Sequence, residues 1–353
     1  MPESTDAWNA LGSCFWRRNQ LASARSAFTA AQSRSSNAVS LRHLSGVTRS
    51  LAHGACNGAV CPVVRPADRV SAAIGSPPYT AASVAAERQA LCAESVAHAK
   101  AALALDVTDG SSWYNLGMST LAELFITGGG VHDALAPVLK AFLQAERCGE
   151  GSRNPDLHFN RGVVLRFLED FQAAADSFTV AGRMDDTLPW RQEVGSLIED
   201  VARVHYLVAA HGRQKPKRIA AAAAAAATTP PPHGLALRTL AALSPGVNPG
   251  VALACRIVAT ASSRGAVPLV HVAVDAAGDC FALSAFGLRE GALREGVATT
   301  IVAPRLAHAR LQAPERALVF PLVRLDGAGG VLCGGVHPTS HSETPQLSTR
   351  RPG

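Results

Sequence analysis

Arg42, Arg49 and Asp156 are the residues whose types and spacing best fit a chemical task in this 353-residue chain. Arg42 and Arg49 lie two turns apart on one predicted helix, on a single face. Asp156 takes the matching face of a later helix. Guanidinium groups across from a carboxylate suit a short extended ligand that bears both a carboxylate and a guanidinium, since each pairing is a charge-assisted, directional hydrogen bond. Tyr114 shares that face. Asn115 and Asn160, at the same offset before Gly117 and Gly162, carry amides that can donate to a ligand backbone. The same charges also occur on solvated helix faces, so the residues by themselves leave both readings open.

Other side-chain chemistry points away from catalysis. There is no phosphate loop, glycine-rich fingerprint after a strand, nucleophile elbow or paired histidine on one helix face. The twelve histidines are scattered singly, and the eight cysteines include no pair at two-residue spacing. Cys56 and Cys61 have no partnering His or Cys cluster, so neither zinc nor any other cofactor is expected. Dispersed cysteines fit a reducing cytosolic or nuclear compartment. The formal net charge of +6 leans towards acidic or nucleic-acid-containing partners. Its densest run is Gly212-Arg-Gln-Lys-Pro-Lys-Arg218, where Lys215 and Lys217 suit phosphates. The opening Met-Pro-Glu-Ser-Thr-Asp does not read as a secretory signal. The longest apolar run, the alanine tract 220–227, is far short of a membrane span, so no membrane partner is expected.

The elements that must position these residues are paired helices. Gly162, Phe171, Ala174, Phe178 and Ala181 fall at the offsets of a tetratricopeptide repeat. The pattern recurs at Trp8, Leu11, Gly12, Phe15, Ala24, Phe28 and Ala31, and again at Trp113, Leu116 and Gly117. The small residues sit where paired helices touch, and the phenylalanine fills the gap they leave. In this register the inner face of the helical stack carries Asn9 and Trp16, then Arg42, Gly46 and Arg49, then Tyr114, Met118 and Leu121, and finally Asp156, Phe159 and Arg166. In a further helix Leu41 takes the tryptophan position, and Leu44 with Ser45 the leucine-glycine pair.

The expected organisation is multidomain, α plus β. A tetratricopeptide-repeat superhelix covers 1–211, with an inserted loop at 52–83 rich in Gly, Ser and Pro. The helix at about 190–211 reads as its cap. Residues 212–233 read as a basic, Ala- and Pro-rich linker. Beyond them the period shortens to that of strands at 235–243, 251–261, 267–274, 280–286, 297–302 and 318–325, which suggests a small closed β-barrel over 234–336. The tail 337–353 reads as disordered.

Longer stretches carry a resemblance: Ala-Trp-Asn-Ala-Leu-Gly at 7–12, Val-Ser-Leu at 39–41 with Leu44-Ser45 and Arg49, Asp109-Gly110 with Ser112-Trp113-Tyr114, Asn154-Pro-Asp-Leu-His158, and Leu243-Ser-Pro-Gly-Val-Asn248. In these the chain resembles the tetratricopeptide repeat protein 5 family. The resemblance implies a repeat superhelix joined to a C-terminal OB-fold. It also implies a non-catalytic adaptor that binds the first residues of nascent tubulin, Met-Arg-Glu, at the ribosome and promotes decay of the translated mRNA through a separate mRNA-decay adaptor. Arg49 and Asp156 match the family's groove residues, and Lys215 and Lys217 its ribosome contacts, near the exit site. The family has further repeats ahead of the Trp8 unit, so N-terminal repeats are expected to be lacking here and the Trp8 and Trp16 face exposed. Two other readings stay open. One is a nuclear stress-responsive scaffold for transcriptional coactivators. The other is an OB-fold nucleic-acid binder whose stacking aromatics are Phe281, Phe286 and Phe320, residues that also fit a core.

Overall fold

The computed structural model describes residues 4–54, 81–127, 132–149, 151–232, 234–262 and 268–338. The expected insertion and tail fall largely outside them; at the rims of the insertion, 52–54 and 81–83 belong to helices. The chain divides into two units, Met1–Leu157 and His158–Gly353, with the division inside one helix.

The first unit is a stack of antiparallel helices: α1 (Thr5–Arg17), α2 (Leu21–Arg34), α3 (Ala38–Gly54), α4 (Ala81–Leu105), α5 (Gly110–Ile126) and α6 (Ala136–Arg147), followed by the start of α7 (Pro155–Phe167). Ser4 caps α1 by accepting from Ala7 N, and Asp109 caps α5 by accepting from Ser111 N. The helix pairs close over glycine. A Cβ on Gly12 would meet the Phe28 ring at 2.5 Å, and one on Gly117 the Phe142 ring at 2.6 Å. The repeat spacing is therefore a steric code in which the ring takes the volume a side chain would fill. The Trp16 face is not left open: a Cβ on Gly46 would meet Trp16 at 2.3 Å, and Trp16 packs edge-on to Phe28 and His43. Burial holds the His43 imidazole at a pKa of about 4, so it stacks neutral on Phe28 at 4.7 Å.

In the second unit the remainder of α7 pairs with α8 (Phe171–Met184), again over a glycine seat, Gly162 against Phe178. Next come α9 (Trp190–Ala209) and α10 (Pro216–Ala227). The stretch expected as a linker thus contains a helix. Alanine has the best intrinsic helix propensity, and Ala223 and Ala226, three apart, are buried against the sheet. Arg256 fixes the far end of α10, donating to the Ala225 carbonyl at 2.6 Å and to Thr229 Oγ1 at 3.1 Å. Expected as a cap of the helical stack, α9 packs on α8, and it also lies against strands.

Those strands are β1 (Ala236–Arg238), β2 (Gly246–Val247), β3 (Val251–Thr260), β4 (Leu269–Asp275), β5 (Cys280–Phe286), β6 (Ala298–Val302), β7 (Arg305–Gln312), β8 (Ala317–Asp326) and β9 (Val331–Cys333). They form one curled sheet in the order β2-β7-β8-β5-β4-β3-β6-β9, with β1 beside β3. Strand count suggests closure, but the described pairings run as an open path, so the sheet is a half-barrel. Both faces are covered. Leu253, Phe281, Leu283, Ile301 and Val323 fill the inside of the curl, while Val258, Val272, Val274, Leu318 and Phe320 pack under α8, α9 and α10. Burial on two faces explains the near-continuous apolar runs. Phe281, Phe286 and Phe320 are core residues, so they offer no exposed stacking platform.

A buried ion cluster ties the α7–α8 turn to this sheet. Arg324 donates from Nε to Asp326 at 2.7 Å and from Nη1 to the Phe167 carbonyl at 2.7 Å; Nη1 also lies 3.5 Å from Glu169, and the guanidinium stacks on Phe286. Burial pushes the Glu169 carboxyl above its ordinary pKa, against the pull of Arg324.

Candidate functional site

Three helices of the first unit converge on a polar cluster inside an otherwise apolar core. In the α3–α4 pair the glycine position is Ser45, and the residue that meets it is Ser95 instead of a phenylalanine. Ser119 joins them from α5, and all three are fully buried. Ser95 Oγ donates to the Ser45 carbonyl at 2.7 Å, Ser95 and Ser119 hydroxyls lie 2.7 Å apart, and Ser45 and Ser119 hydroxyls 3.0 Å. Each hydroxyl has one proton, so Ser119 donates to Ser95 and accepts from Ser45.

Arg49, one turn after Ser45, is seated on this cluster. Its Nη1 donates to Ser119 Oγ at 3.1 Å, and the residue is 9% exposed. Burial pulls the guanidinium pKa down, partly offset by nearby Tyr114 and Cys92, yet arginine stays protonated at neutral pH. Tyr114, partly buried on α5, stacks on Phe142 at 6.0 Å between ring centroids. A second cation, Arg88 of α4, comes close enough to act on His53 together with Arg49. Burial first, then these two cations, lowers the His53 pKa to about 4. His53 Nε2 and Arg88 Nε are buried without hydrogen-bond partners among the described residues. Neither arginine has a carboxylate within ion-pairing distance among those residues. Two cations thus share one region of the helical stack with no carboxylate in ion-pairing distance among the described residues.

The other sequence-derived residues divide. Arg42 is paired with Asp109, whose pKa burial would raise but hydrogen bonds from Ser112 and Arg42 hold below the ordinary carboxylate value. Arg42 therefore supports the α5 N-terminus and is not an open groove cation. Asn115 Nδ2 donates to the Ser111 carbonyl of its own helix at 3.0 Å. Of the expected inner-face positions, Met118, Leu121 and Phe159 lie in the core. Arg166 is paired with Glu193 and Asp200. Asp156 stands half-buried in the first turn of α7, with its N–H donating to Asn154 Oδ1 at 3.0 Å, and Asn160 is buried one turn on. Sequence reasoning missed Ser95, Ser119, His53 and Arg88. The available signal was serine at a position the repeat gives to glycine.

In the second unit Lys215 and Lys217 are exposed, one immediately before α10 and one in its first turn. Cations there oppose the helix dipole, a local cost. Gln214 steadies the turn by donating to the Val258 carbonyl at 2.9 Å.

Residues 234–346 match the family model described as the tetratricopeptide repeat protein 5 OB fold domain. The chain resembles tetratricopeptide repeat protein 5. It is 28% identical to the Mus musculus protein over 368 aligned residues, covering 99% of this chain and 77% of the relative. The Homo sapiens protein is equally similar at 28%, and the Bos taurus protein is 27% identical over 369 residues. Likeness to tetratricopeptide repeat protein 5 therefore runs through both the helical stack and the curled sheet. Among the described residues no helix is long and apolar enough to cross a membrane, and no group of His, Cys, Asp and Glu could hold a metal ion.

Proposed function

We propose that the chain is a non-catalytic adaptor like tetratricopeptide repeat protein 5. In this reading it recognises the N-terminal peptide of nascent tubulin at the ribosome and brings an mRNA-decay adaptor to the translated message, work done in the cytoplasm. The observation that carries it is Arg49, a buried guanidinium whose one hydrogen-bond partner among the described residues is a serine hydroxyl. Burying a charge without its counter-ion costs several kcal/mol, and a ligand carboxylate would offset that cost. A Met-Arg-Glu terminus offers a glutamate for Arg49 and an arginine for Asp156, with Tyr114 and Asn115 beside the peptide. Lys215 and Lys217 supply a second, salt-sensitive contact to ribosomal phosphate. Two weak contacts on one chain then multiply, so engagement needs the right peptide at the right ribosome.

The test compares labelled Met-Arg-Glu-Ile and Met-Arg-Gln-Ile peptides by fluorescence anisotropy. The glutamate peptide should bind the full chain more tightly, and Arg49→Met should remove the difference. Lys215→Glu with Lys217→Glu should spare peptide binding but abolish co-pelleting with ribosomes translating tubulin. Equal affinity for the two peptides would remove Arg49 from the account.

A further inference from the structure

Among the described residues, β7 is unpaired along most of one side. Antiparallel pairing joins β7 to β8 from Arg305↔Arg324 to Gln312↔Ala317, whereas β2 covers only Arg305 and Leu306 on its other side. Along an antiparallel strand, successive residues turn their N–H and C=O alternately towards the partner and away from it. Ala313 N donates to the Arg316 carbonyl at 2.9 Å, which puts the odd-numbered residues of β7 on the β8 side. Asn248 N donates to the Pro304 carbonyl at 3.0 Å from the opposite side, as the same phase requires. His308, Arg310 and Gln312 therefore present their backbone groups outward. One is answered: Gln312 N donates to Gln172 Oε1 at 2.8 Å, a side-chain amide standing in for a neighbouring strand's carbonyl. The outward N–H and C=O groups of His308 and Arg310 have no hydrogen-bond partner among the described residues.

Beside this window lies a cleft of about 560 Å³, bordered by Leu168, Phe171 and Gln172 on one side and Ala307, Arg310 and Leu311 on the other. Its carboxylates are committed. Glu169 faces Arg324, and Asp170 caps α8 by accepting from Ala173 N. The basic side chains of His308 and Arg310 are exposed on the outer face of β7, and Val319, directly opposite Arg310 on β8, is 46% exposed.

We propose that the edge of β7 between β2 and Gln172 receives an extended acidic segment of a partner protein as an added strand. Main-chain hydrogen bonds to His308 and Arg310 supply affinity, and carboxylates beside the two basic side chains supply selectivity. The geometry fixes the phase. In a hydrogen-bonded antiparallel pair the opposed residues exchange both bonds and share a face, so the acidic residues of the guest are those whose N–H groups point at β7.

The probe is a fluorescent peptide alternating glutamate and valine over about ten residues, titrated into the full chain by anisotropy. N-methylation of the glutamate amides should weaken binding about tenfold or more, while N-methylation of the valine amides should leave it unchanged. Arg310→Glu should weaken binding comparably. Arg310→Pro, which removes one outward N–H at an edge where proline is tolerated, should do so with the circular dichroism spectrum preserved. Absence of saturable binding, or equal effects of the two methylated series, would overturn the proposal. Concentration-dependent dimerisation abolished by Arg310→Pro would overturn it too, assigning the edge to a second copy of the chain.

Discussion

Replacing Arg49 with methionine should move stability and binding in opposite directions. Methionine keeps the length and apolar stem of arginine and removes its charge. The three serines remain satisfied among themselves, because Ser119 still donates to Ser95 and accepts from Ser45. What is lost is one hydrogen bond from a charged donor, about 1.5–3 kcal/mol. What is gained is relief from burying a guanidinium without a counter-ion, several kcal/mol on the same scale; replacing whole buried ion pairs by apolar side chains in other proteins runs from neutral to about 4 kcal/mol stabilising. We expect a net gain of about 1 kcal/mol, seen in urea titration followed by far-ultraviolet circular dichroism, or a melting temperature about 2–4 °C higher. Affinity for the glutamate-bearing peptide should fall by about 2–5 kcal/mol, thirtyfold or more, from loss of the charge pair. A variant destabilised by more than about 2 kcal/mol with unchanged peptide affinity would refute the reasoning, because Arg49 would then be a structural keystone.

Two further outcomes concern the rest of the fold. His43, His53 and His271 are held at about 4, largely by burial, below the ordinary histidine value of 6.5. The unfolded chain takes up these protons first, so stability present above pH 6.5 should be lost as pH falls towards 4, by up to about 1.4 kcal/mol per pH unit per histidine. Urea midpoints at pH 7 and pH 4.5 check this, and His43→Gln should flatten the dependence. Arg324→Met should cost about 3–5 kcal/mol by stranding the Glu169 carboxylate in the interior, and adding Glu169→Gln should recover much of it; a purely additive double variant would argue against the ion cluster.

Helix pairs were legible in the sequence because their code is steric. Glycine at position 12 or 162 predicts a phenylalanine sixteen residues on at 28 or 178, and the rings lie where the spacing requires. The longer strands with β-branched or aromatic residues, β3, β4, β5, β6 and β8, were equally legible. β7 was not: Arg-Leu-Ala-His-Ala-Arg-Leu-Gln has no β-branched residue, and pairing with β8 decides its conformation. Helix α10 escaped for another reason, since alanines flanked by basic residues and prolines read as a spacer until a sheet face is present to bury Ala223 and Ala226. The site was half visible. Arg49 follows from the repeat register, but the hydroxyl seat beneath it joins residues 50 and 74 positions apart, which no local pattern reports. The partner of Arg42, Asp109, caps another helix 67 positions on, a pairing that no local pattern reports.

The eight alanines of α10 behave as a ratchet between a fixed end and a working end. Arg256 clamps the carboxyl-terminal end at the Ala225 carbonyl and the Thr229 hydroxyl, so the number of alanines sets the direction in which Lys215 and Lys217 leave the sheet. Each extra alanine would turn them by about 100° and carry them about 1.5 Å further out. Length changes near a whole turn would keep the basic end aimed as it is, whereas a change of one or two would swing it to another side of the molecule, with composition, charge and helix content almost untouched.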